Sequence, residues 1–417
     1  PFFRDDIVSE DPQRPTDWPP HGSRQDPWSQ DYRSGSRQDR MLREVTVSLP
    51  PHIEAGDVAL PSHVVATMEA ATREVVALDH ERGAELQTLG AILLRTESVA
   101  SSKIERVEAS TADYARALHG NRSNVAATAM AAATTAIAAL VTSVDGGKPL
   151  HLEAVLAAHR ALMLDDPAER VDAGRLRDVQ NWIDGSDHSP RNALFVPPPP
   201  GTVADYMADL VAFANRDDMP VLAQAAIAHA QFESIHPFTD GNRRIGRAVI
   251  NTVRRRRGTT RKVIVPIASA LVAHRDRYFD LLDEYRTGHV QPLVLAFSTA
   301  TRIAAAEARV TADRVLELPD RWREELGPVR TGSATDRLRN RLPDLAAFTA
   351  EDANDDIGGP LSSTYAAIER LADAAIIRPL TDRKRNQVWG AAALLDELDD
   401  LGARIERHAR SQRGLDV

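Results

Sequence analysis

The sequence predicts a mainly helical protein with one small hairpin inside its helical core and a small α+β unit at its end. Three observations carry that prediction. From Leu60 onward, apolar residues recur at helical spacing over most of the chain. The habit breaks once, between Asp178 and Val196, where Trp182-Ile183 and Leu194-Phe195-Val196 flank Asp184-Gly185 as in an irregular hairpin. Near the end, Gln387-Val388-Trp389 reads as a short strand among helices.

The elements follow in order. Residues 1–45 are rich in Pro, Asp, Arg, Ser and Gln, with almost no apolar periodicity, which predicts an extended arm pinned by Trp18 and Trp28. Ser62 can cap a helix running to about Leu78. Leu86, Leu89, Leu93, Ala100 and Ile104 make the apolar face of the next helix. An alanine-rich helix at 124–142 and another at 151–163 precede the hairpin. Pro197 to Pro200 then stop the chain, and a helix restarts near Thr202. Further helices are expected at 221–235, 241–256, 268–286 and 290–315, with linker-like composition from Asp320 to Ser333. The run Arg254 to Arg257 reads as a solvated helix end.

At 417 residues the chain exceeds one ordinary core, so two or three domains are expected. Hydrophobic content of 43% and charged content of 27% belong to a globular protein. The absence of cysteine excludes disulfides, Cys-ligated zinc and thiol catalysis, and fits a reducing, cytoplasmic compartment. A net charge of −9 argues against a chain that coats nucleic acid along its length, while leaving room for a local basic patch. No unbroken apolar run long enough for a bilayer is apparent, so no membrane is expected. The first residues, Pro1-Phe2-Phe3-Arg4-Asp5-Asp6, lack a signal layout, and the missing Met places the true start upstream or marks trimming.

One segment carries chemistry: His236-Pro237-Phe238-Thr239-Asp240-Gly241-Asn242-Arg243-Arg244-Ile245-Gly246-Arg247. A helix ends at His236, Pro237 forces a turn, and a new helix opens around Asp240 to Asn242, so its free N–H groups favour an anion. Gly241 lets the backbone approach a ligand. Arg244 and Arg247 share a helix face and can reach the same anion. Asp240 beside a polyphosphate suits Mg²⁺, and His236 suits proton removal from a hydroxyl. Singly, a histidine in such a turn is more often structural and a basic cluster a solvated face. Together they spell phosphoryl or nucleotidyl transfer.

The segment resembles the Fic-family signature HPFx(D/E)GN(G/K)RxxR and departs from it only at Arg243. The resemblance extends from about Val45 to about Ala304 and implies a Fic helical core at 121–318, with the hairpin from Val179 to Pro200 as a substrate-positioning flap. It further implies AMP transfer from ATP to a Ser, Thr or Tyr hydroxyl of a target protein or of the chain itself. His236 would be the base, and Asp240 would hold Mg²⁺ between the α- and β-phosphates. The N–H groups of Gly241 and Asn242 would form the anion hole, with Arg243 beside it, and Arg244 and Arg247 would neutralise the β- and γ-phosphates. Phe238 would pack into the core and orient the loop. Where the family usually has Gly, Arg243 either adds phosphate affinity or crowds the hole. That keeps a Doc-type, kinase-like phosphotransfer open as an alternative, along with a weakly active Fic-derived regulator. Against Doc, position 241 is Gly rather than Ala.

Upstream, Ser101-Ser102-Lys103-Ile104-Glu105-Arg106 resembles the inhibitory-helix motif (S/T)xxxE(G/N) of Fic proteins regulated from the N-terminal side, placing it in a region at 46–120. Ser101 and Glu105 share one helix face, and Glu105 is expected to pair with Arg247. Arg106 replaces the residue that would favour a left-handed helix stop. Residues 336–417 resemble a winged helix-turn-helix: Leu361 to Tyr365 open a helix backed by Ile368, Leu371 and Ala375, and Arg378 to Trp389 form a wing tipped by Arg383, Lys384 and Arg385. The helix offers few cations, so target docking or a homodimer is favoured over DNA. All proposed catalytic residues precede 336, which predicts a catalytic unit independent of this module.

Overall fold

The computed structural model describes residues 17–30, 34–80, 86–381 and 387–412, the side chains of 86–89 excepted. Strand β1 (Gly22–Pro27) pairs antiparallel with β2 (Glu44–Leu49), Gly22 facing Leu49 and Pro27 facing Glu44. Between them lies a short helix, α1 (Arg37–Met41), closed by a capping box of Ser36 and Asp39. This differs from the extended arm expected over these residues. Strand β1 is polar and largely exposed, held to β2 by its ladder and by Gln25 donating to Thr46 Oγ1, and no apolar alternation announces it. The two tryptophans do dock. Trp18 is buried beside Tyr285, and Trp28 meets Trp182 edge-on at 5.6 Å.

Helices α2 (Ser62–His80), α3 (Leu86–Ile104), α4 (Thr111–Leu118), α5 (Val125–Thr142) and α6 (Leu152–Met163) come next. Ser110 caps α4 and Asn124 caps α5 through their side-chain oxygens. Helix α5 corrects the expectation that no stretch could cross a membrane: its 18 residues are long and apolar enough by length and composition. Of those residues 61% are buried here, and the helix packs on α3, α4, α6 and α9. The expected hairpin is minimal, held by Ile183 opposite Phe195 and Ser186 opposite Ser189. After it come α7 (Val203–Ala214), α8 (Val221–Ile235) and α9 (Asn242–Arg256).

Helix α8 is the axis of the core. Every residue from Leu222 to Ile235 is buried, and α2, α7, α9, α11 and α12 surround it. The single helix expected at 268–286 is broken at His274 into α10 (Ile267–Ala273) and α11 (Arg275–Arg286). Helix α12 (Gln291–Leu326) runs through Pro319 into the stretch that reads as linker. Buried Leu318, Trp322 and Leu326 continue its apolar face, and that packing outweighs the lost hydrogen bond. The arginine run is not a solvated helix end either. Arg254 and Arg255 are buried, and Arg256 binds the carbonyls of Ala214, Asn215 and Arg216.

The last unit comprises α13 (Ala334–Arg341), β3 (Ala347–Phe348), α14 (Ala350–Ile357), α15 (Leu361–Asp373), β4 (Ile377–Pro379), β5 (Trp389–Ala391) and α16 (Ala392–Ser411). Its strands pair antiparallel in the order β3-β5-β4. The expected wing tip, Arg383 to Arg385, lies outside the described residues. Helix α16 turns back from the sheet and packs on α3, α10 and α12, burying Leu398, Leu401, Ile405 and Ala409. The unit is therefore packed against the core through α16.

Candidate active site

The turn between α8 and α9 is shaped by two left-handed residues, His236 (φ 50) and Gly241 (φ 74). At Gly241 a Cβ would stand 3.0 Å from Leu162 and 3.1 Å from the Met163 sulfur, so both conformation and space demand glycine. Gly246 is constrained by space alone, since a Cβ there would press on the Glu233 carboxylate and the Phe232 ring. Phe238 is fully buried and stacks on His159 with ring centroids 3.7 Å apart. His159 receives the Gly174 N–H at Nδ1 and donates from Nε2 to the Asp240 carbonyl at 3.0 Å, fixing the turn from below. Burial pushes its pKa down to about 4.

His236 is held from three sides. The buried Arg177 donates to its carbonyl at 2.8 Å and to Pro198 O at 2.6 Å, tying the base of the flap to the turn. Asn181 donates to His236 Nδ1 at 3.0 Å and to Phe238 O at 2.8 Å. Asn242 donates to the same carbonyl at 2.8 Å, approaches Nδ1 at 3.3 Å, and accepts from the Phe238 N–H at 2.8 Å. Phe238 O thus draws both amide groups toward Nδ1, which holds the lone pair while Nε2 carries the proton. Burial, then Arg177, Arg243 and Arg286, lower the His236 pKa to about 3, so the ring is neutral.

Helix α9 opens without a side-chain cap, leaving its first N–H groups for a ligand. In this state the Gly241 N–H is taken by the carboxylate of Asp240 at 2.6 Å. The other Asp240 oxygen is 3.5 Å from Arg244 and the side chain is half exposed. Among the described residues no group of three His, Cys, Asp or Glu gathers around an ion site. The donor set fits an ion that takes its remaining ligands from phosphate and water, as Mg²⁺ does, and not a protein cage.

Arg244 and Arg247 converge on one carboxylate. Glu105 lies 3.3 Å from Arg244 Nε and 2.7 Å from Arg247 Nη2, and Arg247 also donates to Ser101 Oγ at 2.8 Å and Ser101 O at 2.7 Å. Arg243 departs from this group. Its guanidinium sits over the Phe279 ring, 4.9 Å from the centroid, while its backbone stays in the turn. So the structure brings His236, Asp240, Gly241, Asn242, Arg244, Arg247, Ser101 and Glu105 together and carries the Arg243 side chain aside. Arg106 adopts the left-handed stop despite its side chain (φ 62), with Val107 N–H bonding Ser102 O and Arg106 N–H bonding Lys103 O.

Sequence reasoning gave no role to Asn181, Arg177 or His159. The first two sit in a stretch legible only as hairpin, and a lone histidine on a periodic helix carries no signal. Glu97 was also missed. It lies two turns before Glu105 on α3, accepts from the Ala268 N–H at 2.9 Å, and is raised to about 7 by burial.

Residues 149–253 match the family model described as Fic/DOC family. The chain is 30% identical over 148 residues to protein adenylyltransferase fic-1 of Caenorhabditis briggsae, covering 35% of this chain and 26% of that protein. It is 28% identical over 163 residues to protein adenylyltransferase Fic of Culex quinquefasciatus, covering 38% and 29%. The match thus spans under a third of these relatives. A Fic family protein from Desulfovibrio desulfuricans G20 shares the fold, with a TM-score of 0.51 and 19% identity over 80% of this chain and 97% of that one. The chain therefore carries a Fic/DOC family domain at residues 149–253, and the turn between α8 and α9 lies within it.

Proposed function

We propose that this chain is a protein adenylyltransferase that moves AMP from ATP to a Ser, Thr or Tyr hydroxyl of a target protein or of itself. The observation that carries the reading is the convergence of His236, Asp240, Arg244 and Arg247 around one uncapped helix N-terminus. In the reaction the hydroxyl oxygen bonds the α-phosphorus, the bond to the bridging oxygen of the β-phosphate breaks, and pyrophosphate leaves. The hydroxyl proton goes to His236. In the resting tautomer Nε2 is occupied, so the ring must first hold its proton at Nδ1. Asn181 offers a means: its Oδ1 is buried without a partner, and turning the amide presents that oxygen to Nδ1–H. Asn242 still serves Phe238 O afterwards.

Asp240 would hold Mg²⁺, which supplies charge neutralisation to the phosphates. That would draw its carboxylate from the Gly241 N–H and free this donor for a phosphate oxygen. Arg244 and Arg247 would bind the outer phosphates, which Glu105 now prevents by occupying both. We read α3 as an inhibitory helix on that ground. The helix-strand-helix-helix-strand-strand order of residues 334–391 supports a winged-helix reading of the last unit, as a docking surface for a protein. The lack of cysteine supports a reducing, cytoplasmic setting.

Incubation with ATP labelled at the α-phosphate should label protein, and ATP labelled at the γ-phosphate should not. Label from γ alone would replace this reading with Doc-type phosphotransfer. His236→Ala should lower α-label incorporation by about 10²–10⁴ with ATP binding kept. Survival within a few-fold would remove the histidine from its role.

A further inference from the structure

The helix whose C-terminal end presents Glu105 is gripped on its other side by the C-terminal unit. Lys103 Nζ lies 3.9 Å from the Glu406 carboxylate on α16. Thr111, at the start of α4, donates to Asp399, and Arg116 donates to the Leu380 carbonyl. His119 reaches Ala347 O at 2.8 Å and the Asp352 carboxylate at 3.2 Å. Ala115 joins Ala347, Leu380, Val388 and Leu395 in a small buried cluster of its own. From Lys103 to His119, then, the chain next to Glu105 is fastened to α14, α16 and the three-stranded sheet.

The unit has an independent hold on the core. Glu397 on α16 is buried and accepts from Thr311 on α12 at 2.6 Å and from Arg404 at 3.0 Å, while Arg404 and His408 both reach Glu307. Displacing the unit would thus act on α12 and on α3–α4 together. The α3 contacts with α9 run through polar side chains, Ser101 and Glu105 against Arg244 and Arg247. Helix α3 packs more extensively on α10 and α16 than on α9.

We propose that the C-terminal unit, residues 334–411, is the control element of the active site, setting through the α3–α4 segment whether Glu105 holds Arg244 and Arg247. The proposal rests on the reading of Glu105 as an inhibitor. A partner that seats on the unit and shifts it pulls on Thr111, Arg116 and His119, none of which touches the site. The pull reaches Glu105 along a short non-helical connection, because α3 ends at Ile104 in the hydrogen-bonded stop at Arg106 and α4 begins at Thr111.

The test compares the full chain with Arg116→Ala/His119→Ala, with Thr111→Val as a milder variant that removes one hydrogen bond. Glu105→Gly and the combined variants complete the set. Two readouts are taken: incorporation of α-label from ATP, and amide hydrogen exchange across residues 98–119. Loosening the grip should raise incorporation about three- to thirtyfold when Glu105 is present and add nothing when it is Gly. Exchange at residues 100–107 should quicken in both grip variants while that of α8 does not change. If Glu105→Gly activates but neither grip variant changes incorporation or exchange, the control role is overturned. If Glu105→Gly itself leaves incorporation unchanged, the inhibitory reading fails and the proposal falls with it, a result the first comparison distinguishes.

Discussion

Two residues beside His236 make opposite demands on the sequence. Asn181 is a polar side chain in a hairpin with little periodicity, yet it reaches His236 Nδ1 at 3.0 Å, the ring nitrogen opposite the proposed base, and its buried Oδ1 has no partner. Asn181→Leu should keep the fold and lower AMP transfer by about 10–100-fold, as loss of a base's orienting partner does. Steady-state rates with α-labelled ATP measure it, and an unchanged rate would leave His236 positioned by Asn242 alone. Arg243 is the converse, conspicuous in the motif but resting on Phe279 outside the arginine pair. Arg243→Gly should leave ATP affinity within about threefold, since the phosphates are served by other groups. Calorimetric titration decides it, and a large loss of affinity would make Arg243 a phosphate ligand.

Helix α3 ends at Ile104 although Arg106 has no glycine's freedom, because two hydrogen bonds from Arg106 and Val107 satisfy its last carbonyls. The left-handed residue costs about 1 kcal/mol, partly offset by the lower unfolded-state entropy of arginine. Arg106→Gly should therefore raise stability by up to about 1 kcal/mol, read from the urea midpoint, without loosening Glu105. A drop in stability would show that the Arg106 side chain holds the helix end. Packing also explains the long α12. Pro319 and polar neighbours read as a linker, but Trp322 and Leu326 find a buried face, and tertiary packing overrides the local signal.

Across the whole molecule, buried titratable groups set an acid limit. His21, His159, His229 and His236 are held at about 3, 4, 3 and 3 by burial, well under the ordinary 6.5. The unfolded chain takes protons below 6.5 while the folded one refuses them, so each histidine removes stability as pH falls, about 2 kcal/mol by pH 5. Glu97 and Glu233, raised to about 7 by burial, act with the opposite sign, since the folded chain holds their protons from 7 down to 4.5. The four histidines outweigh the two carboxyls, and denaturant midpoints should fall by a few kcal/mol in stability between pH 7 and pH 5. A flat or rising profile would contradict the burial of these rings as neutral species. The helical class, the hairpin and the turn between α8 and α9 are legible in the chain alone, because helical spacing, Gly241 and the Pro237 stop act over a few residues. The sequence also placed Ser101 and Glu105 on one face, which only local geometry requires. Tertiary structure alone decided that β1 finds β2, that Arg254 and Arg255 are buried, that Asn181, Arg177 and His159 brace the turn, and that α16 returns to α3. Those contacts join residues tens to hundreds of positions apart, where no periodicity in the chain records which surfaces will meet.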